Sequence, residues 1–405
     1  MSAQAAPSKR SGWGLHPTII AAGWVSFFTD FSSQMVVPVL PLFLIVVLKA
    51  PVLTLGVIEG LGAAMAGILR LLSGWLSDRM GHRKPLMVAG YGLSNLIKPA
   101  FALAPGWGTV LALRLGDRVG KGLRSAPRDA LLADVTTAQE RGKAFGFRRS
   151  MDLLGAALGP LAAAGILLWS HNAYRLVFFA TLLPGLAALV VALVMLKDAR
   201  RPVTDTHRVL PRINLLALPR PFQRYTLTLT VFALANFSEG FIILRERSLG
   251  LAPALIPVAY FVMNAVASLL SMPAGMVADR VGRRRVLVLG FLLLSGTYWG
   301  LGWIRSAGWI WPLLALYGVT VALVEGNQKV YAAELIGPEQ RGTALGTFNA
   351  ITGVAGLPAA LGAGLLWQAW GPRAPFLAGA LVAMTAVFLL LVLVPASRGR
   401  RAASA

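Results

Sequence analysis

Cysteine is absent from the 405 residues, which excludes disulfides, thiolate metal sites and iron–sulfur clusters. Histidine is scarce as well. His16, His82, His171 and His207 are the four in the chain, and no two have ligand spacing, so neither a metal site nor a cofactor is expected. Charged residues make up only 13% of the chain against 56% hydrophobic, and the mean hydropathy is +0.68. That is far too apolar for a water-soluble domain. Acids are the scarcest class: 16 Asp and Glu face 38 Lys and Arg, a net charge of +22. Such a balance raises the question of nucleic acid, but DNA-binding charge gathers in one patch on a soluble surface, and no soluble domain is left over here. No constellation of residues supports an enzyme. GLGAAMAG (60–67) echoes a dinucleotide loop without a preceding strand, and GKGLRS (120–125) lacks the lysine–serine/threonine order of a phosphate loop.

What the chain has in abundance is apolar runs of roughly 20 residues, long enough to cross a hydrocarbon core of about 30 Å. The first runs from Thr18 to Val47, longer than a signal-peptide core of roughly 7–15 residues, and reads as a retained helix. Further spans are expected near 54–76, 86–105, 107–131, 143–169 and 175–196, and again near 225–247, 252–277, 286–304, 309–332, 343–367 and 374–395. The expectation is an all-α integral membrane protein of 12 transmembrane helices, with six-helix bundles at 1–196 and 225–405 joined by a basic, proline-containing linker at 197–224. Lys and Arg concentrate in alternate loops: Lys9 and Arg10, Arg79 to Lys84, Arg141 and Lys143, the linker, Arg280 to Arg285, Arg341 and the Arg398–Arg401 tail. By the positive-inside rule both termini and the linker are cytoplasmic, in a multi-pass protein of the cytoplasmic (inner) membrane.

Two landmarks show an internal duplication. Gly74–Pro85 reads GWLSDRMGHRKP and Gly275–Arg285 reads GMVADRVGRRR, with Asp78 and Asp279 lying 201 residues apart. Independently, LLADVTTAQERGKAFGF (131–147) aligns with YAAELIGPEQRGTALGTF (331–348) at an offset of 200, matching Asp134 to Glu334 and Arg141–Gly142 to Arg341–Gly342. Separated landmarks at nearly one offset indicate a duplicated half. In the first motif Gly74 permits close helix approach, Asp78 can accept from the amides of a neighbouring helix end, and Arg79, Arg83 and Lys84 can pair with acids such as Asp134. The plainer alternative is a topogenic basic loop with a tight turn.

The loop motif resembles the signature loop between the second and third helices of major facilitator superfamily transporters. The resemblance implies that Gly74, Asp78, Arg79, Gly81, Arg83 and Asp134, with the copy Gly275, Asp279, Arg280, Gly282 and Arg284, latch the two halves on the cytoplasmic side. His82 departs from the arginine more usual there, and the second copy lacks the proline. Gly155-Ala-Ala-Leu-Gly159-Pro160 is similar to the helix-five motif of the superfamily's drug:proton antiporters; its alternative reading is generic close packing around a bent helix. FTDFSSQMVVPVLPLFL and DRVGKGLRSAPRDALLADV resemble a prokaryotic subgroup of the superfamily.

The fourth span carries Arg114, Asp117, Arg118, Lys121, Arg124 and Arg128. At 3.6 residues per turn these six fall within an arc of about 120°, in a stripe about 21 Å long. A charge facing lipid costs at least about 2.5–3.5 kcal/mol, so the stripe must face protein or a wet cavity. The resemblance implies a central cavity lined by the first, fourth, seventh and tenth spans. The stripe is therefore a candidate substrate surface, unless Asp30, Glu59 or Asp152 neutralises it. Acids within spans are candidates for proton coupling, because a poorly hydrated carboxyl can exchange a proton near neutral pH. These are Asp30, Glu239, Glu325 and Asp152, although Glu325–Lys329 and Glu59–Arg70 could equally be fixed ion pairs; Lys329 is also a cavity candidate.

Three functions follow as expectations. The first is proton-coupled export of a small molecule by alternating access, with substrate, protons and lipid as the partners and a monomer as the working unit. The second is proton-coupled movement of an anionic metabolite or siderophore, motivated by the positive stripe. The third is a membrane sensor that retains the fold without transporting.

Overall fold

The computed structural model describes residues 15–80, 82–136, 141–196, 218–336 and 341–394, with backbone only at 70, 71, 74–80, 141, 142 and 341–343. Every regular element among them is helical. In chain order these are α1 (Pro17–Val36), α2 (Leu40–Leu42), α3 (Val52–Met80), α4 (Lys84–Ala100), α5 (Trp107–Asp134), α6 (Arg141–Trp169), α7 (Tyr174–Ala180) and α8 (Leu182–Met195). There follow α9 (Arg220–Ala235), α10 (Glu239–Ser248), α11 (Leu255–Val281), α12 (Arg283–Trp303), α13 (Ile310–Glu334), α14 (Arg341–Trp370) and α15 (Ala374–Leu393). Among the described residues 11 helical spans are long and apolar enough to cross a membrane. α5 is long enough too, at 28 residues, but its charges separate it from the others. Helices extend beyond the apolar runs at several ends, since a helix can continue into the polar boundary layer. α9 already starts at Arg220, inside the stretch expected as linker.

Three expected spans are broken, each for a local reason. α1 ends before Pro38 and Pro41, which cannot donate to a continuing helical ladder, and the chain resumes through α2 and a π turn at Phe43–Val47. Pro184 likewise cannot donate to the Ala180 carbonyl, and α7 gives way to α8 there. Between α9 and α10, Asn236–Ser238 leaves the helix, and Ser238 Oγ accepts from Gly240 N at 3.2 Å to cap α10. Glu239 thus occupies the first turn of a half-helix inside a membrane span, where the amide dipoles favour negative charge.

Glycines set the helix crossings. A Cβ at Gly155 would stand 2.4 Å from Phe27 O, and one at Gly159 2.5 Å from Phe31 O, so α6 lies directly on α1. The candidate helix-five motif, with Pro160 buried beside it, therefore has a packing role within the N-terminal helices. A Cβ at Gly120 would sit 2.7 Å from both Gly90 O and Ser94 N, which brings α5 against α4. Contact between the N-terminal helices α1–α8 and the C-terminal helices α9–α15 runs chiefly through α3 on α14, α6 on α11 and α2 on α10. On the first of these, a Cβ at Gly56 would meet Ala360 O at 2.3 Å, and Gly67 faces Gly353.

Candidate functional site

α5 lies between α3 and α4, and its charged stripe faces those neighbours. Arg114, Asp117 and Arg124 are buried, while Arg118, Lys121 and Arg128 are partly covered. Glu59 on α3 is the acid that meets the stripe: it accepts from Arg114 Nη2 at 2.8 Å and Arg118 Nη2 at 3.3 Å. Asp117 accepts from Ser94 Oγ at 2.6 Å and lies 3.8 Å from Arg114. The Arg124 guanidinium sits 4.6 Å over the Tyr91 ring, a cation–π contact. Arg128 pairs with Asp129 at 3.0 Å. Lys121 forms no ion pair within 4 Å among the described residues.

The other expected neutralisers have different roles. Asp152 pairs with Arg148 on its own helix at 2.7 Å and is also within electrostatic reach of Arg128 on α5. Asp30 makes no hydrogen bond or ion pair with another described residue, but Lys98, Arg128 and Asp152 are within electrostatic reach. The proposed Glu59–Arg70 pair falls on a side chain outside the described residues, and Glu59 is committed to α5. Glu325 and Lys329 are not in ion-pair contact; both side chains are exposed, because they point into a cavity rather than along the helix surface.

That cavity, of about 400 Å³, lies among α9, α10, α13 and α14. Asn236, Glu239, Glu325 and Lys329 supply its polar groups, and Phe232 and Phe348 its aromatic ones. Glu239 accepts from Tyr260 Oη at 2.8 Å and is within electrostatic reach of Glu325 and, across to the N-terminal helices, of Glu59. Tyr317 Oη donates to Asn236 Oδ1 at 3.2 Å, fixing the non-helical residue beside Glu239. The result is an amphipathic chamber with two carboxyls and one ammonium on its wall.

One buried cluster escaped the sequence reading. Lys98 on α4 is 2% exposed and donates to Asn95 Oδ1 at 2.8 Å and Thr29 O at 3.3 Å. The pattern Asn95-x-x-Lys98, one turn apart before Pro99, was its available signal. Buried Glu246 on α10 was likewise missed.

At the duplicated loops an arginine–acid pair recurs one position out of register with the loop motif: Arg284 is the counterpart of Arg83 at the 201-residue offset, but Arg283 makes the pair. Arg83 Nε meets Asp134 Oδ2 at 2.8 Å, and Arg283 Nε meets Glu334 Oε1 at 2.6 Å. Arg283, which was not among the candidate latch residues, also binds Asp279. Arg284 instead donates to the carbonyls of Leu390 and Leu391. Both of these pairs join helices of one half to each other. Gly282 has φ +97°, a conformation that favours glycine, whereas a Cβ at Gly275 would meet nothing within 4 Å. The side chains of Asp78 and Arg79, and the whole of Gly81, lie outside the described residues, and of Gly74 only the backbone is described.

A bundle of membrane-length helices enclosing a chamber of this kind defines a polytopic membrane protein built to handle a small solute. The chain belongs to the Major Facilitator Superfamily, whose profile matches residues 22–357 and 225–405. An uncharacterized MFS-type transporter of Methanocaldococcus jannaschii is 33% identical over 384 residues, covering 93% of this chain and 95% of the relative. Multidrug resistance protein MdtH of Proteus mirabilis is 26% identical, covering 72% and 73% respectively. Among solved structures, the nucleoside transporter NupG superposes with a TM-score of 0.77 at 12% identity, over 93% of this chain and 98% of that one. A D-xylose–proton symporter superposes at 0.74 with 15% identity, over 95% and 99%. The protein is therefore a multi-pass membrane transporter of this superfamily, and its relatives are transporters rather than enzymes.

Proposed function

We propose that the protein is a proton-coupled antiporter that exports a small amphipathic molecule by alternating access. The observation that carries this reading is the chamber itself, where Glu239 and Glu325 face apolar and aromatic walls without a basic residue in ion-pair contact. A carboxyl so placed can hold either a proton or a substrate, and exclusive occupancy by one or the other is what antiport requires. The name of the MdtH relative, a multidrug resistance protein, supports the same direction.

In this reading twelve spans form two pseudo-symmetric sets of six, 1–196 and 225–405, with the polar segment at 197–224 between them. The protein sits as a monomer in the cytoplasmic membrane with both termini and the linker inside, as the distribution of Lys and Arg supports. The sets rock about the α3–α14 and α6–α11 contacts, and at the first of these Gly56, Gly67 and Gly353 allow sliding without a large penalty. The duplicated basic loops stabilise one of the two orientations.

The test is gradient-driven transport in everted membrane vesicles with a lipophilic cation as probe. Glu325→Gln is expected to lower pH-gradient-driven accumulation at least about tenfold, a loss of about 1.4 kcal/mol of coupling, while exchange without a gradient persists. Accumulation equal to wild type removes Glu325 from the coupling step. A second reading, transport of an anionic metabolite, draws on Lys121 and Lys329, neither of which is in ion-pair contact with an acid. Thermal stabilisation by anions alone in a mixed panel would favour it.

A further inference from the structure

Three helices end together at the face that carries the second basic loop. α9 begins at Arg220, α12 begins at Arg283 and α15 closes at Leu393, and α15 packs against both of the others. Their ends enclose a second cavity of about 400 Å³, whose wall is cationic on one side and apolar on the other. Arg220, Arg224 and Arg284 supply the charge, and the last residues of α15, from Leu391 to Val394, supply the apolar part.

Among the described residues the charge here is not balanced by acids. Neighbouring Arg283 is matched by two acids, Asp279 and Glu334. Arg220, Arg224 and Arg284 have no carboxylate within ion-pair distance among the described residues. Arg284 spends two of its donors on the carbonyls of Leu390 and Leu391, which offsets the negative end of the α15 dipole. Arg220 and Arg224 are exposed, so their charge faces outward. The sequence on either side remains net positive: Lys197, Arg200, Arg201, Arg208 and Arg212 against Asp198 and Asp205 precede α9, and Arg398, Arg400 and Arg401 follow α15.

The depth of the cavity identifies its occupant. The apolar spans start at Arg220 and Arg283 and stop at Leu393, which sets the cavity where hydrocarbon gives way to headgroups. A free anion in water would use only the arginines. The apolar wall, with Leu391 51% and Val392 63% exposed, would remain unused. A phosphate carrying an acyl chain uses both. We propose that this cavity binds one anionic phospholipid, its phosphate held by Arg220, Arg224 and Arg284 and its acyl chain lying along the end of α15. The site stands apart from the transport chamber and does not depend on what the protein exports.

The experiment is native mass spectrometry of the full-length protein released from nanodiscs of phosphatidylcholine mixed with phosphatidylglycerol. Wild type is expected to retain one phosphatidylglycerol in preference to phosphatidylcholine. The double variant Arg220→Gln/Arg224→Gln is expected to lose about thirtyfold in that preference, equivalent to about 2 kcal/mol for two basic side chains. Arg285→Gln removes a charge from the same face but not from the cavity wall, and is expected to retain the lipid. Equal retention of both lipids by wild type, which requires no variant to fold, overturns the proposal. So does equal loss in Arg285→Gln, which would make the effect one of diffuse surface charge. Displacement of the lipid by millimolar inorganic phosphate would show a site for free anions and overturn it equally.

Discussion

Replacing Glu59 by Gln tests whether the α5 stripe is tied into the protein or held open for a substrate. The Glu59 carboxylate serves two guanidinium groups at 2.8 and 3.3 Å, and the three side chains are 13%, 6% and 21% exposed for Glu59, Arg114 and Arg118. Without it the nearest acid to Arg114 is Asp117 at 3.8 Å, already engaged by Ser94. Removing one partner of a buried ion pair costs about 3–5 kcal/mol, because the surviving charge is left without compensation. With about 2.1 cal/mol/K of unfolding entropy per residue, a chain of 405 residues then loses about 5 °C in Tm. The assay is thermal unfolding of purified Glu59→Gln, Arg118→Gln and the double variant. If Glu59 and Arg118 act together, the double variant is less destabilised than the sum of the singles by about 1–3 kcal/mol. Additivity to within about 0.5 kcal/mol, or an unchanged Tm in Glu59→Gln, would refute the reasoning and return the stripe to the role of an anion site.

The two loop pairs are expected to differ in strength. Arg83 and Asp134 are 11% and 5% exposed, whereas Glu334 in the second pair is 42% exposed. Arg83→Gln should therefore cost about 1.5–3 kcal/mol and Glu334→Gln no more than about 1 kcal/mol in denaturation, and the reverse order would contradict the burial argument. The lack of cysteine offers a clean test of movement between halves. A Cβ on Gly67 would lie 3.8 Å from the Gly353 Cα, so Gly67→Cys with Gly353→Cys should oxidise readily. Transport should stop on oxidation and return on reduction; transport that continues through the cross-link would rule out separation of α3 from α14.

How much of this was legible in advance differs from residue to residue. The α5 stripe was visible because helical periodicity is local, and a charged arc inside an apolar span has one acceptable orientation. The Arg83–Asp134 pair was visible from the loop motif, but its counterpart was not: the 201-residue motif offset pointed to Arg284, whereas Arg283, 51 residues before Glu334, makes the second pair. The break before Glu239 carried a signal, a capping serine ahead of an acid, that hydrophobic patterning alone passes over.

Other features had no local signal. The sequence offered three acids for the α5 stripe, and the tertiary structure selected Glu59. That choice depends on the crossing of α3 and α5, where a Cβ at Gly122 would come 2.5 Å from Leu69 and one at Gly62 would come 3.3 Å from Arg118. Lys98 had only the weak signal of Asn95 one turn away, and its burial in a network follows only once α1, α4 and α5 converge. Duplication itself misleads at this level. Gly90 packs on Arg124 and its copy Gly290 on Val324, so one crossing carries charge in the first half and is apolar in the second. The sequence by itself determined that this is a duplicated, all-helical membrane protein with charge confined to particular faces, because composition and periodicity act over a few turns of chain. Only the tertiary structure decided which charges neutralise each other and which carboxyls remain on a cavity wall, because ion pairing depends on ångström-scale distances between helices far apart in the chain.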